Sequence, residues 1–156
     1  MLTTKFVQSI AEIPAHAWNA LCDTRENPFV AHEWLEALER SGCVGVGTDW
    51  RPRHITLWRG DELVAAAPAY LKDGSDGDFS RDWGWADAAI RAQIPYYPKL
   101  VIGVPFTPVT GRRLLARADA PASECIPALL EAAVVLARDE GSTILQLLYC
   151  VGDEAR

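Results

Sequence analysis

One segment in the middle of the chain, residues 82–111, contains most of the side chains whose types and spacing could do chemistry. It reads DWGWADAAIRAQIPYYPKLVIGVPFTPVTG and combines five aromatic residues with four prolines. Each proline removes a backbone hydrogen-bond donor, so the segment does not suit a central strand. An ordinary loop does not need so many aromatic rings. A segment that is both apolar and conformationally restricted is typical of a cleft wall.

Three side chains in this segment are candidate catalytic groups by type: Asp82, Asp87 and Tyr97. Each also has a simpler structural explanation. Asp87 would cap a helical turn over the sequence AAIRA, Asp82 would face water, and Tyr97 would pack beside Tyr96 with its hydroxyl on a backbone partner. The chain contains no G-x-S-x-G or H-E-x-x-H motif, so the sequence does not indicate a nucleophile–base pair.

A second group of residues is predicted to bind substrate. Trp83 and Trp85 alternate with smaller residues, and at strand spacing both would lie on one face. That face would either fill the core or grip a sugar or an acyl chain. Gly111 would permit a tight turn or a close backbone approach. The threonines would contact an anion or else satisfy backbone groups near the prolines. The predicted binding residues are Trp83, Trp85, Tyr96, Lys99, Phe106, Thr107, Thr110, Gly111 and Arg112.

Composition and charge exclude several classes of protein. With 156 residues the chain has the length of one domain. Its net charge of −6 disfavours binding to DNA, although Arg112, Arg113 and Arg117 remain local candidates for anion contacts. No apolar run is long enough for a membrane helix, and the N-terminus lacks the pattern of a signal peptide. We therefore expect a cytoplasmic protein.

Cysteine and histidine spacing predicts no metal site. The four cysteines are widely separated, and we expect free thiols that are mostly buried. The three histidines show no ligand spacing either. The acidic run DGSDGD at 73–78 lacks the spacing of a calcium loop and is predicted to be a polar turn.

The elements that must position these side chains follow from periodicity and from proline and glycine signals. Pro68 indicates a bulge or an edge within the second strand of a hairpin. Gly42 and Gly141 are placed to end helices. The predicted elements are a strand at 3–9, helices at 14–23 and 31–41, an antiparallel hairpin of 54–58 with 63–71, a strand at 99–104, a helix at 124–140 and a fifth strand at 142–150. Residues 112–117 have a strand-like pattern and are not counted in this order.

The element order β-α-α-β-β-β-α-β resembles the first two-thirds of the Gcn5-related N-acetyltransferase fold. The resemblance implies an α/β (α+β) domain in which a mixed central sheet has helices on both faces. The usual Q/R-x-x-G-x-G/A loop of that fold, which holds the pyrophosphate of an acyl donor, has its nearest match at 106–111. Only Gly111 agrees, so the pattern does not predict a standard coenzyme A cradle.

A closer resemblance covers almost the entire chain. The stretches NPFVAHEWLEALERSGCVG, DWRPRHITLW, LVAAAPAYLK, DWGWADA and YYPKLVIGVPFTPVTG, with the last helix and strand, are similar to the N-terminal part of the FemAB-like proteins. The composition of YYPKL…VPFTPVTG makes this resemblance specific. Family members tend to have a hydroxyl residue at the start of the second helix, where this chain has Ala31. They are also about twice as long, which predicts one N-terminal domain over 1–156 that is incomplete after the fifth strand.

The FemAB-like resemblance implies N-acyltransferase activity in peptidoglycan biosynthesis, with transfer of an acyl or aminoacyl group to an amine. The donor would be acyl-coenzyme A or an aminoacyl-tRNA, and the acidic net charge disfavours tRNA. The acceptor would be a small molecule or a cell-wall precursor. An alternative is a non-catalytic substrate-binding or scaffold half of a tandem enzyme, or an inactive fragment. An exposed edge at the fifth strand would favour a homodimer.

Overall fold

The computed structural model describes residues 1–76, 79–80 and 82–155. Short 3₁₀ turns at Ile10–Glu12 and Pro28–Val30 accompany the main elements. These main elements are, in chain order, β1 (Thr3–Val7), α1 (Ala15–Asn19), α2 (His32–Arg40), β2 (Trp50–Pro52), β3 (His54–Arg59), β4 (Glu62–Ala67), β5 (Ala69–Lys72), α3 (Trp83–Arg91), β6 (Lys99–Ile102), β7 (Leu115–Ala116), α4 (Ala122–Asp139) and β8 (Leu145–Leu147).

The strands form two four-stranded sheets, with the orders β1-β3-β4-β7 and β2-β5-β6-β8. All pairs are antiparallel except β6 and β8, which run parallel. Helix α4 packs on one face of both sheets, and α1 and α2 pack on the opposite face of the first. The predicted mixed α+β architecture with helices on both faces is confirmed, and it is consistent with an acetyltransferase-like fold.

The two sheets separate at Pro68, where the sequence predicted a bulge or an edge within one strand. Proline has no N–H, and the N–H of the next residue, Ala69, donates to Nδ1 of the buried His54 (3.3 Å) instead of to a strand carbonyl. On the other side of its ring, His54 Nε2 lies 3.3 Å from Glu39 Oε1 on α2. Glu39 also accepts hydrogen bonds from the Ile10 backbone (2.9 Å) and the Ser9 hydroxyl (2.6 Å). The imidazole thus joins the N-terminal segment, α2 and both sheets.

Helix α2 begins without a capping side chain at Ala31, the position that the sequence singled out. Its first backbone N–H, that of His32, donates instead to Asn19 Oδ1 at the end of α1 (2.8 Å). The cap therefore comes from another helix and satisfies one of the unpaired N–H groups of the first turn. Gly42 follows the helix with φ +75°, as expected of a residue that ends it.

Helix α4 confirms the strongest periodic pattern in the sequence, with one correction. Leu129, Ala133 and Ala137 are buried in the main core, as predicted. Leu130 and Val134 recur with them at helical spacing in the sequence, which predicts one buried stripe, but each is 41% exposed. The apolar stripe of α4 is therefore wider than the face that the sheet covers.

Several local predictions differ from the structure. Trp50–Pro52 forms a strand where a loop was expected, because it pairs with β5. Trp83–Arg91 is a helix where strand spacing was predicted. The strand predicted at 142–150 shortens to Leu145–Leu147, and Phe6 is 38% exposed while Val7 is buried. The polar turn predicted at 73–78 lies partly outside the described residues.

Gly111 and Gly84 provide a matched pair for a stability test. A Cβ added at Gly111 would lie 2.6 Å from Asn27 Oδ1. The Asn27 side chain is held in place, because its amide group donates to the Arg112 carbonyl (2.8 Å). A Cβ added at Gly84 on α3 would meet open space. We expect Gly111→Ala to lower the free energy of unfolding by about 1–3 kcal/mol. Gly84→Ala should raise it by up to about 1 kcal/mol, since alanine favours the helix. Urea denaturation measures both, and a neutral Gly111→Ala would contradict the close approach.

Candidate functional site

Three neighbouring strands place Trp50, Lys72 and Lys99 in one row across the second sheet. Trp50 is the Cα partner of Lys72, and Lys72 is the Cα partner of Lys99. Directly opposite residues project to the same face of a sheet. Both lysines are fully buried, and like charges in this position destabilise a strand pair unless other groups compensate them.

The next row on the same face adds Tyr70 and Gln146. Tyr70 lies two residues before Lys72 in β5, and its partner Val101 in β6 pairs in turn with Gln146 in β8. Helix α4 packs on the opposite face, against residues such as Leu71 and Leu100. We call the side formed by Trp50, Tyr70, Lys72, Lys99 and Gln146 the lysine face.

The insert, residues 73–98, supplies groups that compensate Lys99. The Lys99 ammonium donates to Asp82 Oδ2, and the Tyr96 hydroxyl donates to the same oxygen (2.9 Å). The ammonium also lies 5.8 Å from the ring centroid of Tyr96 and 5.9 Å from that of Tyr97, within the range of cation–π attraction. The prediction that Asp82 faces water is wrong, because Asp82 is only 5% exposed.

Lys72 is held in a similar way. Its ammonium donates to the Asp76 carbonyl and lies 4.2 Å from the centroid of the Trp50 ring. Beside it, the hydroxyls of Ser75 and Tyr97 share a hydrogen bond. The two buried lysines therefore form one polar layer on the second sheet with a few residues of the insert, namely Ser75, Asp76, Asp82, Tyr96 and Tyr97.

Opposing effects set the protonation of Asp82. Burial raises the pKa of the Asp82 carboxyl, but the hydrogen bonds from Lys99, Ser75 and Tyr96 lower it by more, so the pKa lies below its ordinary value. Asp82 is therefore a carboxylate at neutral pH. A carboxylate so strongly stabilised is a weak proton acceptor.

Four buried polar atoms on or beside this face have no hydrogen-bond partner among the described residues. They are Trp50 Nε1, the Tyr70 hydroxyl, Asp82 Oδ1 and Gln146 Oε1. Buried polar groups are nearly always paired in folded proteins, and a cluster of unpaired ones marks a functional candidate. The Trp50 indole N–H donates hydrogen bonds, and the Tyr70 hydroxyl can donate one. The oxygens of Asp82 and Gln146 accept hydrogen bonds. The lysine face is therefore the candidate site.

The aromatic residues predicted to form a wall do not share one face. Trp83 and Trp85 are 56% and 74% exposed. They lie on helix α3, where residues two apart point about 200° from each other, so the strand-based prediction of a common face is wrong. Asp87 lies within the same helix rather than at its cap, and it is exposed.

The segment after β6 contains four of the predicted binding residues, and only Phe106 is found in contact with a residue of the lysine face. Phe106 is 44% exposed, and its ring centroid lies 6.1 Å from that of Trp50. Thr107 is buried and donates to the Pro105 carbonyl (2.9 Å), which fits the local alternative. Thr110 is exposed, and the Gly111 N–H donates to the Tyr149 carbonyl (2.9 Å). No helix follows Gly111 directly, since the next element is β7.

The three arginines considered for anion contacts all have protein partners. Arg112 pairs with Asp153 (2.9 Å), and Arg117 pairs with Asp119 and Glu62. Arg113 is 1% exposed, and its guanidinium donates to backbone carbonyls, including that of Leu148 (3.2 Å). These guanidinium groups serve the local structure.

Sequence reasoning missed Trp50, Tyr70, Lys72 and Gln146. Lys72 stands at the end of an apolar run next to an acidic turn, where a solvated lysine is the ordinary expectation. Its burial depends on the register of β5 with β6, which a single sequence does not reveal. The one sequence signal that could have indicated the burial of Lys72 is Lys99, a second lysine that begins the next apolar run.

His54 and Glu39 lie next to the lysine face but do not form an available base. The ring of His54 contacts that of Tyr70 at 5.1 Å. Both imidazole nitrogens are engaged, one by the Ala69 N–H and the other by Glu39. Burial raises the pKa of Glu39, but hydrogen bonds from His54, Ser9 and Ile10 lower it below its ordinary value. The pair is therefore structural.

Comparison with known protein families identifies the family of this chain. The profile of the FemAB-like family, described as peptidoglycan biosynthesis/recognition, matches residues 9–156, and the chain belongs to this family. A search of curated proteins found no match. Among the described residues, no helix has the length and apolarity to span a membrane, and no group of His, Cys, Asp and Glu side chains is placed to hold a metal ion.

A mutant cycle on Asp82 and Lys99 tests the buried ion pair. Lys99→Met leaves a buried carboxylate without its ammonium, and we expect the free energy of unfolding to fall by about 3–5 kcal/mol. The double variant D82N/K99M should lose much less than the sum of the single losses. As a control, the exposed pair of Arg112 and Asp153 should show a much weaker coupling than the buried pair. Additive losses at Asp82 and Lys99 would show that the pair does not form.

The pH dependence of stability tests the same carboxylate. Since the folded-state pKa of Asp82 is lowered, its contribution is fully present above the unfolded value of about 4 and is lost as the pH falls through the folded pKa. We expect Asp82→Asn to flatten the decline in unfolding free energy below about pH 4. Tyr96→Phe removes one of the hydrogen bonds and should give an intermediate slope. Identical slopes in all three proteins would contradict the assignment.

Proposed function

We propose that this member of the FemAB-like family transfers an acyl or aminoacyl group to an amine of a cell-wall precursor, and that the lysine face binds the peptide part of that precursor. The observation that supports this proposal is the set of four unpartnered buried polar atoms on and beside one sheet face. The family's description as peptidoglycan biosynthesis/recognition supports the class of substrate.

The chemistry of the unpartnered atoms matches a peptide. Trp50 Nε1 can only donate a hydrogen bond, and the Tyr70 hydroxyl can donate one to a carbonyl. Gln146 Oε1 and Asp82 Oδ1 can accept from amide N–H or ammonium groups. A peptide offers carbonyl acceptors and N–H donors in alternation, whereas a simple anion offers acceptors only. The mixture of groups therefore favours a peptide over an isolated phosphate.

The proposed reaction needs positioning more than special side-chain chemistry. The neutral amine of the precursor attacks the ester or thioester carbonyl of the donor and forms an amide bond. The C–O or C–S bond of the donor then breaks, and the leaving oxygen or sulfur takes up the proton that the amine loses. Holding the amine beside the donor carbonyl converts a bimolecular step into an intramolecular one, which contributes a large part of the acceleration.

Two classes of donor suit this reaction, acyl-coenzyme A and aminoacyl-tRNA. The net charge of −6 disfavours a polyanionic tRNA. A coenzyme A cradle would need free backbone N–H groups near 106–111, where the Gly111 N–H is already used by Tyr149. The usual cradle is therefore not expected at 106–111. Because the net charge weighs against tRNA, we propose acyl-coenzyme A as the first donor to test, with the reaction located in the cytoplasm.

A second candidate function is substrate binding without transfer. Asp82 and His54, the acid–base groups on or next to the lysine face, are both held by protein partners. This observation favours a binding unit whose chemistry is completed by groups elsewhere. Such a unit would bind the precursor with the same residues but would not turn over.

The test combines binding and transfer with variants that spare the fold. Tyr70→Phe removes only an unpartnered hydroxyl, and Gln146→Met removes an unpartnered amide oxygen, so neither should lower the free energy of unfolding. We expect each to weaken binding of a muramyl peptide with a free side-chain amine by about tenfold. Isothermal titration calorimetry measures the binding. Transfer is followed with labelled acetyl-coenzyme A and, separately, with aminoacyl-tRNA.

Trp34→Phe, an exposed position on α2, is the control and should bind like the unaltered chain. Binding with transfer from either donor supports the acyltransferase, and binding without transfer supports the second candidate. If the muramyl peptide does not bind, or if Tyr70→Phe and Gln146→Met bind it with unchanged affinity, the lysine face is not its site.

A further inference from the structure

Helix α4 presents an apolar ridge on the side that faces away from the sheets. Its central residues Val134 and Val135 are 41% and 49% exposed, and Leu130 beside them is 41% exposed. Glu131 and Arg138, also exposed, lie one turn before and one turn after the two valines. We call the five residues Leu130, Glu131, Val134, Val135 and Arg138 the α4 ridge.

A hollow lies on each side of the α4 ridge. One, of about 390 Å³, is formed with β1 and includes Phe6 and Val135. The other, of about 410 Å³, is formed with β8 and includes Val134 and Leu145. Phe6 and Leu145 are each 38% exposed, so apolar surface extends across the helix and onto both sheet edges. Continuous exposed apolar surface of this kind marks an interaction site.

The order of charges along the ridge makes it complementary to itself. An antiparallel copy of α4, centred between residues 134 and 135, places Val134 against Val135 of the second copy. The same twofold axis places Glu131 at the level of Arg138 of the second copy, and Arg138 at the level of its Glu131, because 131 and 138 are equally distant from the centre. Among the described residues neither Glu131 nor Arg138 forms an ion pair within the chain.

We propose that the α4 ridge is the contact surface between two copies of this chain, related by a twofold axis that passes between Val134 and Val135. The interface is isologous, since each copy contributes the same residues. The valines form its apolar centre, two symmetry-related pairs of Glu131 with Arg138 fix the antiparallel direction, and each ridge lies beside the hollows of the other copy. The lysine face lies on the other side of the second sheet from α4 and takes no part in this interface.

A charge-swap series tests the antiparallel register. Glu131→Arg puts two arginines opposite each other at both symmetry-related positions, and Arg138→Glu puts two glutamates there. We expect each single variant to weaken the dimer about tenfold or more, and the double swap E131R/R138E to restore most of the affinity. Sedimentation equilibrium gives the dissociation constants. These positions are exposed, so circular dichroism and urea denaturation should show an unchanged fold.

Two further variants complete the test. Val134→Asp puts a carboxylate at the apolar centre and should give a monomer, while Asp61→Arg, an exposed change of charge in the β3–β4 turn, should leave the dimer unchanged. A monomer at the highest soluble concentration would overturn the proposal. A dimer that tolerates both single swaps, or one that the double swap fails to restore, would also overturn it, and would assign the ridge to a different polypeptide or place the dimer contact elsewhere.

Discussion

The break between β4 and β5 at Pro68 is the constraint on which the rest of the structure depends. Without a proline N–H, and with the Ala69 N–H turned toward His54, the long hairpin cannot continue as one ladder. The imidazole that accepts this hydrogen bond is fixed by Glu39, which also holds the N-terminal segment. The proline and this buried ring lie together where the first sheet ends and the second begins. Beyond this point, Tyr70 and Lys72 lie on the face of β5 that is opposite α4.

The second sheet imposes its own requirement on the insert. Two fully buried ammonium groups stand opposite each other in β5 and β6, and no strand pair is stable with that charge uncompensated. The insert compensates this charge with the Asp82 carboxylate, the Asp76 carbonyl and the rings of Tyr96 and Tyr97. The acidic and tyrosine residues at 82, 96 and 97 are therefore explained by the ammonium group that they contact.

Sequence reasoning predicted the elements whose signals are local. The hairpin, α2, α4 and the interruption at Pro68 follow from periodicity and from proline chemistry, and each lies within a few residues of its predicted position. The Trp-Gly-Trp alternation was interpreted at strand spacing, and this was wrong, because the segment is a helix. Asp82 was selected as a candidate, but its contact with Lys99 was not predicted. That contact depends on the register of distant strands, which local patterns do not encode, and the same is true for Lys72 and Gln146.

Some polar groups of the lysine face stabilise the fold, and others are proposed to bind the ligand. Asp82 and Lys99 stabilise each other, so any substitution there changes the fold and the site together. Among the described residues, the Tyr70 hydroxyl and Gln146 Oε1 have no hydrogen-bond partner, and the fold gains nothing from burying them. Unpaired buried groups of this kind need an explanation outside the fold, and the proposed peptide ligand would supply their partners. In the proposed function, the face selects substrates by the donor at Tyr70 and the acceptor at Gln146.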